Sequence, residues 1–180
     1  MREIALHILD IVQNSIAAQA STVSVDIHED TAGDVLRVSI TDNGKGMSAE
    51  TVAKVTDPFF TTRTTRKVGL GLPMLKQVAL ACDGGFEIDS EPGRGTKVSV
   101  SYRRSHIDRP PLGDMASTML TILLGNEDVD YIYNHSSDGR VFSFESREMK
   151  ELLEGVSFQT LEVYDWLKGF LYEGERALYS

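Results

Sequence analysis

The sequence predicts an α/β two-layer sandwich, one helical layer on one sheet, followed by a small α+β unit. Three features predict it: an apolar run of helical spacing at the start, two pairs of alternating strand-like runs, and an amphipathic helix between the pairs. Ile4, Leu6, Ile8, Leu9, Ile11, Val12 and Ile16 make residues 2–19 a helix, since a strand reading fails on that length. Thr22–His28 and Val35–Thr41 alternate around the polar residues 29–34 and form a hairpin. Ser48 and Glu50 open a short helix, which Asp57-Pro58 halts because proline disfavours helical geometry in the residue before it. Leu72–Cys82 is a second amphipathic helix stopped by Gly84-Gly85, and Phe86–Ser90 with Lys97–Tyr102 form another hairpin.

Arg103–Pro111 is a polar, proline-closed linker, which divides the chain into a domain of residues 1–104 and a unit of residues 105–180. The second unit reads as a helix Leu112–Leu124 ended by Gly125, strands Val129–Tyr133 and Arg140–Phe144, and helices Ser146–Glu154 and Leu161–Ala177. It is too small to bury much alone, so it is expected to dock on the first domain, on a twin subunit (which leaves a homodimer open) or on another protein.

The chain has 180 residues, 41% of them apolar, enough to build a real core. Cys82 is the single cysteine, so no disulfide framework exists and a reducing, cytoplasmic setting is expected. The run Ile4–Ala20 has the outline of a secretory leader but carries His7 and Asp10 where an uncharged stretch is required. No apolar run approaches the length of a membrane span. Of the net charge of −9, residues 105–180 contribute nearly all, with 6 Lys+Arg against 14 Asp+Glu. An acidic surface repels nucleic acid and anionic membrane, so a protein partner for this unit is expected, a merely solubilising face being the alternative.

Four short stretches carry the chemistry: Asn14 on the first helix, Asp42-Asn43-Gly44-Lys45-Gly46, Gly69-Leu70-Gly71, and Gly93-Arg94-Gly95-Thr96. Each alone is a common turn, but they follow one another at 28, 27 and 24 residues with regular elements between them. Asp10 and Asn14, four apart, share a helix face, and their oxygens suit a magnesium ion that holds nucleotide phosphates; a polar surface stripe is the plainer alternative. Asp42 ends an apolar strand. A carboxylate on the floor of an apolar pocket accepts the exocyclic amine of adenine and refuses the carbonyl of guanine, while Gly44 and Gly46 let backbone approach the ring; a turn-capping aspartate is the alternative. Gly69, Leu70 and Gly71 precede a helix, where free N–H groups and the dipole favour a triphosphate. Between Pro58 and Gly69, Arg63, Arg66 and Lys67 lie in a threonine-rich loop that would close over the γ-phosphate as a lid, or else hold solvated charge.

The stretch 10–21 resembles the N box of the mismatch-repair ATPases. Asp57-Pro-Phe-Phe-Thr-Thr-Arg63 and Val68-Gly-Leu-Gly-Leu-Pro-Met74 look like the F box and second glycine box of sensor histidine kinases, and Gly93–Thr96 is similar to the last box of those kinases. The combination resembles the GHKL superfamily over about residues 1–104. It implies the Bergerat ATP-binding fold, Mg-ATP held through Asn14, adenine read by Asp42, and Thr96 near the adenine. Asp10 stands where mismatch-repair ATPases and anti-sigma serine kinases place a Glu able to deprotonate water or a hydroxyl, whereas many histidine kinases have Asn there. Ala17 departs from the basic or acidic residue of those families, and residues 105–180 carry no such resemblance.

Ser105–Leu112 resembles a phosphoacceptor box, with His106 followed by Arg109, Pro111 and Leu112, but its acid falls one residue late and it follows the ATP domain instead of preceding it. A linker histidine is the alternative reading of His106. The function expected is an ATP-binding, histidine-kinase-like protein in the cytoplasm, a phosphotransfer or ATP-dependent regulatory component. An ATP-hydrolysing switch and a non-catalytic nucleotide-binding adaptor are its alternatives.

Overall fold

A computed structural model describes residues 3–57 and 68–180, the first three of the latter by backbone alone. Six strands form one sheet: β1 (Thr22–Asp30), β2 (Val35–Asp42), β3 (Gly85–Glu91), β4 (Gly95–Arg103), β5 (Asp130–Ser137) and β6 (Arg140–Glu145). Their order is β3-β4-β2-β1-β5-β6, with every neighbour antiparallel except β1 and β5, which run parallel.

Alternation sets the two faces. Val23, Val25 and Ile27 of β1, Leu36, Val38 and Ile40 of β2, and Val98, Val100 and Tyr102 of β4 are buried. The residues between them, such as Ser24, Arg37 and Ser101, point to the opposite, polar face. On that face Ser39 and Ser99 meet across the β2–β4 pair with hydroxyls 3.1 Å apart.

The apolar face is covered by helices α1 (Ile4–Ala17), α3 (Val68–Ala81), α4 (Met115–Gly125) and α6 (Leu161–Ala177), with shorter α2 (Ala49–Val55) and α5 (Ser146–Leu152) beside them. Ile4, Ile8, Ile11, Val12 and Ser15 form the buried stripe of α1 at helical spacing. Ser48 caps α2 by accepting the Thr51 N–H at 3.2 Å, as its place before Glu50 predicts. Helix α3 begins at Val68, four residues before the expected Leu72. Its first turn therefore includes two glycines, each costing about 1 kcal/mol against alanine, and Pro73 lies inside it without an N–H to give.

Residues 105–180 extend the sheet of the first 104 residues by strand addition. β5 pairs with β1 from Thr22–Asp130 to Glu29–Ser137, and α4 packs on α1. The linker is held at both ends. Ser105 donates to Asp34 through its N–H at 2.8 Å and its hydroxyl at 2.7 Å. The carbonyls of Pro111 and Leu112 accept the N–H groups of Ile4 and Ala5 at 3.0 and 2.8 Å, filling two of the donors that a helix start leaves open.

A buried ionic cluster joins the last helix to the sheet. His135 on β5, fully buried, lies 2.9 Å from Glu29 Oε1 and 2.8 Å from Glu175 Oε2. The Tyr133 hydroxyl donates to Glu175 at 2.6 Å, and the Tyr179 hydroxyl donates to Glu29. Burial disfavours the charged imidazole, but the two carboxylates outweigh it and push its pKa up to about 9. Burial likewise raises Glu29, and the hydrogen bonds from His135 and Tyr179 outweigh it, leaving its pKa lowered.

The sign of each shift fixes the pH response. The His135 contribution is complete below its ordinary 6.5 and lost as pH rises through about 9, whereas that of Glu29 is present above 4.5 and lost as pH falls through its lowered value. Thermal unfolding should therefore show stability falling between pH 6.5 and 9 by on the order of 3 kcal/mol. His135→Gln should flatten that decline, and an unchanged profile in the variant would rule out the cluster as its source.

Candidate functional site

At one end of the sheet, α1, the ends of β2 and β4, the loop after β2 and the start of α3 enclose a cavity of about 260 Å³. Ile11, Ile40, Val55, Leu72 and Val98 give it apolar walls, while Asn14, Ser15, Asp42 and Thr96 supply polar groups. Asn14 and Ser15 come from α1; Asp42, the last residue of β2, lies opposite Thr96 in the β2–β4 register.

The Asp42 carboxylate is fixed from two sides. Oδ2 accepts the Ser15 hydroxyl at 2.6 Å, and Oδ1 accepts the Gly44 N–H at 2.9 Å. Each oxygen keeps a further lone pair, so the group remains an acceptor of set orientation. Asn43 turns away and ties the loop to β1, its Oδ1 accepting the N–H groups of Ser21 and Thr22 at 2.8 and 2.9 Å.

The two glycine loops interlock. Gly93 N–H donates to the Lys45 carbonyl at 2.7 Å, and Met47 N–H to the Ser90 hydroxyl at 2.8 Å. Gly46 has φ +68, and a Cβ there would lie 1.9 Å from the Glu91 carbonyl oxygen; at Gly95, φ +93, it would lie 2.0 Å from that of Asp42. Packing of loop on loop thus already requires glycine at both positions, and Gly46 also lines the cavity.

Of the residues singled out in the sequence, Asn14, Asp42, Gly46 and Thr96 meet at the cavity, and Gly44 buttresses Asp42. Asp10 is one turn back on α1 and does not line it. Gly69, Leu70 and Gly71 are the first turn of α3 instead of preceding it, so they still own N–H groups that a helix start leaves unbonded. Arg63, Arg66 and Lys67 lie outside the described residues.

His106 is not brought to the site. Thr96 and Arg103 are seven residues apart on β4, roughly 23 Å of extended strand, and His106 lies beyond the far end. Its Nδ1 accepts the Asp108 N–H at 3.1 Å and its Nε2 is 3.8 Å from Asp83. β4 carries the chain away from the cavity before the histidine is reached. Ser15 escaped the sequence reading; its signal was a hydroxyl on the buried stripe of α1, where His7 is the other polar residue.

The family described as histidine kinase-, DNA gyrase B- and HSP90-like ATPase matches residues 2–106. The chain belongs to this family. Among relatives, the Non-motile and phage-resistance protein of Caulobacter vibrioides is 33% identical over 117 residues, covering 60% of this chain and 14% of that protein. Sensor protein kinase FleS of Pseudomonas aeruginosa is 44% identical over 89 residues, covering 49% and 22%. The chain thus spans about a seventh to a fifth of the length of these two relatives. Full-length ShkA in complex with AMPPNP aligns over 54% of this chain and 20% of its own at 22% identity, TM-score 0.44. The six-stranded sheet with its helical layer is the α/β Bergerat fold of the family.

Gly46→Ala and Gly93→Ala separate packing from conformation at the interlocked loops. Both have positive φ, but a Cβ at Gly93 meets nothing within 4 Å. Urea unfolding should show a loss of about 1–2 kcal/mol for Gly93→Ala and at least about 3 kcal/mol for Gly46→Ala. Equal losses would mean that the Gly46–Glu91 approach is not tight.

Proposed function

We propose that the chain binds Mg-ATP at this cavity and acts in the cytoplasm as a histidine-kinase-like phosphotransfer or ATP-dependent regulatory component. The observation that carries this is the Asp42 carboxylate, oriented by Ser15 and Gly44 in an otherwise apolar wall. An acceptor without a donor suits the adenine amine and is mismatched to the guanine carbonyl. A volume of about 260 Å³ is below the several hundred, roughly 300–1,000 Å³, of whole-ligand pockets. The base therefore enters, while ribose and phosphates extend toward the first turn of α3, whose free N–H groups and dipole favour anions.

Asn14 offers magnesium an oxygen ligand, with Asp10 one turn away as candidate base. Among the described residues no group of three or more His, Cys, Asp or Glu forms a metal cage. That suits an ion taking most of its ligands from phosphate and water. Bound there, magnesium would neutralise phosphate charge. No described helix is long and apolar enough to cross a membrane.

Binding should favour ATP over GTP by at least tenfold in calorimetry, and Asp42→Asn, which presents a donor beside an acceptor, should narrow that preference. Equal affinity for the two nucleotides in the natural chain would sink the adenine assignment.

On this reading a partner protein that meets residues 105–180 supplies the phosphate acceptor, which the position of His106 beyond the far end of β4 supports. The alternative is an ATP-hydrolysing switch. It is favoured by α1, which lines the cavity with Asn14 and Ser15 while its first N–H groups are held by Pro111 and Leu112. A non-catalytic adaptor would do neither chemistry. With γ-labelled ATP and copurifying proteins, label should pass to a partner and be unaffected by His106→Gln. Free phosphate alone would select the switch, no release the adaptor, and an acid-labile label on the chain that vanishes in His106→Gln would restore that residue as acceptor.

A further inference from the structure

The outward face of α6 carries the chain's single tryptophan. Trp166 is 51% exposed and stacks on Phe170, with ring centroids 5.4 Å apart and planes within 13°. Phe170 packs in turn on Phe142 and Phe144 of β6, so the stack is footed on the sheet. The indole is thereby held in place before any partner arrives, which lowers the ordering cost of binding. By helical spacing, exposed Glu162, Asp165, Gly169, Glu173 and Arg176 share its face. Gly169 leaves a notch beside the ring, with nothing within 4 Å of where a side chain would start.

We propose that this face docks an arginine-bearing basic segment of a partner protein. A guanidinium stacks on the open face of Trp166 and pairs with Glu162, one turn before it, while a second cation of the same segment pairs with Glu173, about 16 Å further along the helix. A planar guanidinium can stack on indole and fork to carboxylates at once, which a lysine ammonium cannot. The other occupant of such a face is a second copy of the chain. Antiparallel α6 helices crossing at Gly169 would set Asp165 of each copy against Glu173 of the other, and each stripe carries three acids against one base. The face repels itself and complements a cation.

The inference rests on the reading of residues 105–180 as a partner-binding unit and is independent of nucleotide. Because Trp166 is the only tryptophan, its emission reports this face alone. The full chain is titrated with nona-arginine and nona-lysine peptides. Nona-arginine should change the emission saturably and bind more tightly than nona-lysine. Glu162→Gln with Glu173→Gln should weaken it about fivefold, as two exposed charge pairs would, whereas Glu148→Gln with Glu151→Gln on α5 should not. Equal weakening by both double variants, or equal affinity for both peptides, would overturn the site while leaving a diffusely acidic unit. No response to either peptide would overturn this site, while the partner-binding reading of the unit would still stand or fall on label transfer to a copurifying protein. An emission shift produced by protein concentration alone, with a dimer in sedimentation, would assign the face to a second copy and overturn the proposal.

Discussion

Strand β1 is hydrogen-bonded along both edges, to β2 antiparallel and to β5 parallel, and its register places every other group of consequence. A slip of one residue would turn Val23, Val25 and Ile27 to the open face and bring Ser24 and Asp26 into the core, so the register is fixed by burial. Once it is fixed, Asp42 falls beside Val23 at one end, and Thr96 falls beside Asp42. At the other end Glu29 falls beside Ser137, within reach of His135. The candidate site and the ionic cluster are thus opposite ends of one constraint.

Helix α1 belongs to both halves of the chain. One side of its C-terminal half lines the cavity through Ile11, Asn14, Ser15 and Ala18, and its N-terminus is completed by carbonyls of the linker. A displacement of the linker would leave the Ile4 and Ala5 N–H groups unpaired at the start of a buried helix, a cost that ties linker and helix together. The linker is itself pinned to the β1–β2 turn at Asp34. Anything that moved residues 105–180 would therefore act on the helix that presents Asn14.

Local patterning made much of this legible. The hairpins followed from alternation, α1 from its apolar period, and the convergence of Asn14, Asp42 and Thr96 from boxes placed at the ends of regular elements. The rest depended on pairings between distant segments. Thr22 pairs with Asp130, and no local signal says that β5 will choose the free edge of β1. His135 has no companions in its own stretch, because Glu29 and Glu175 are 106 and 40 residues away. His106 shows the same dependence in reverse, a local match that the course of β4 carries to the far end of the sheet from the cavity. Helix α3 started early because glycines in a first turn weaken a helix without preventing it, the first N–H groups being unbonded in any case, and Pro73 in the second turn removes only one bond of the ladder.

Ten of the 14 carboxylates of residues 105–180 fall into two populations. Asp114 caps α4 through the Ser117 N–H, Asp130 pairs with Arg147 and Lys150, Asp138 holds the Thr31 N–H and hydroxyl, and Glu175 is committed to His135 and Tyr133. These charges build the unit and are not free to attract anything. Glu148, Glu151 and Glu154 on or after α5, and Glu162, Asp165 and Glu173 on α6, are exposed. Charge that only kept the chain soluble would need no particular neighbours. On α6 the exposed acids instead surround a stacked aromatic pair and a bare glycine, and it is that combination, more than the net charge, which separates one face of the unit from the rest.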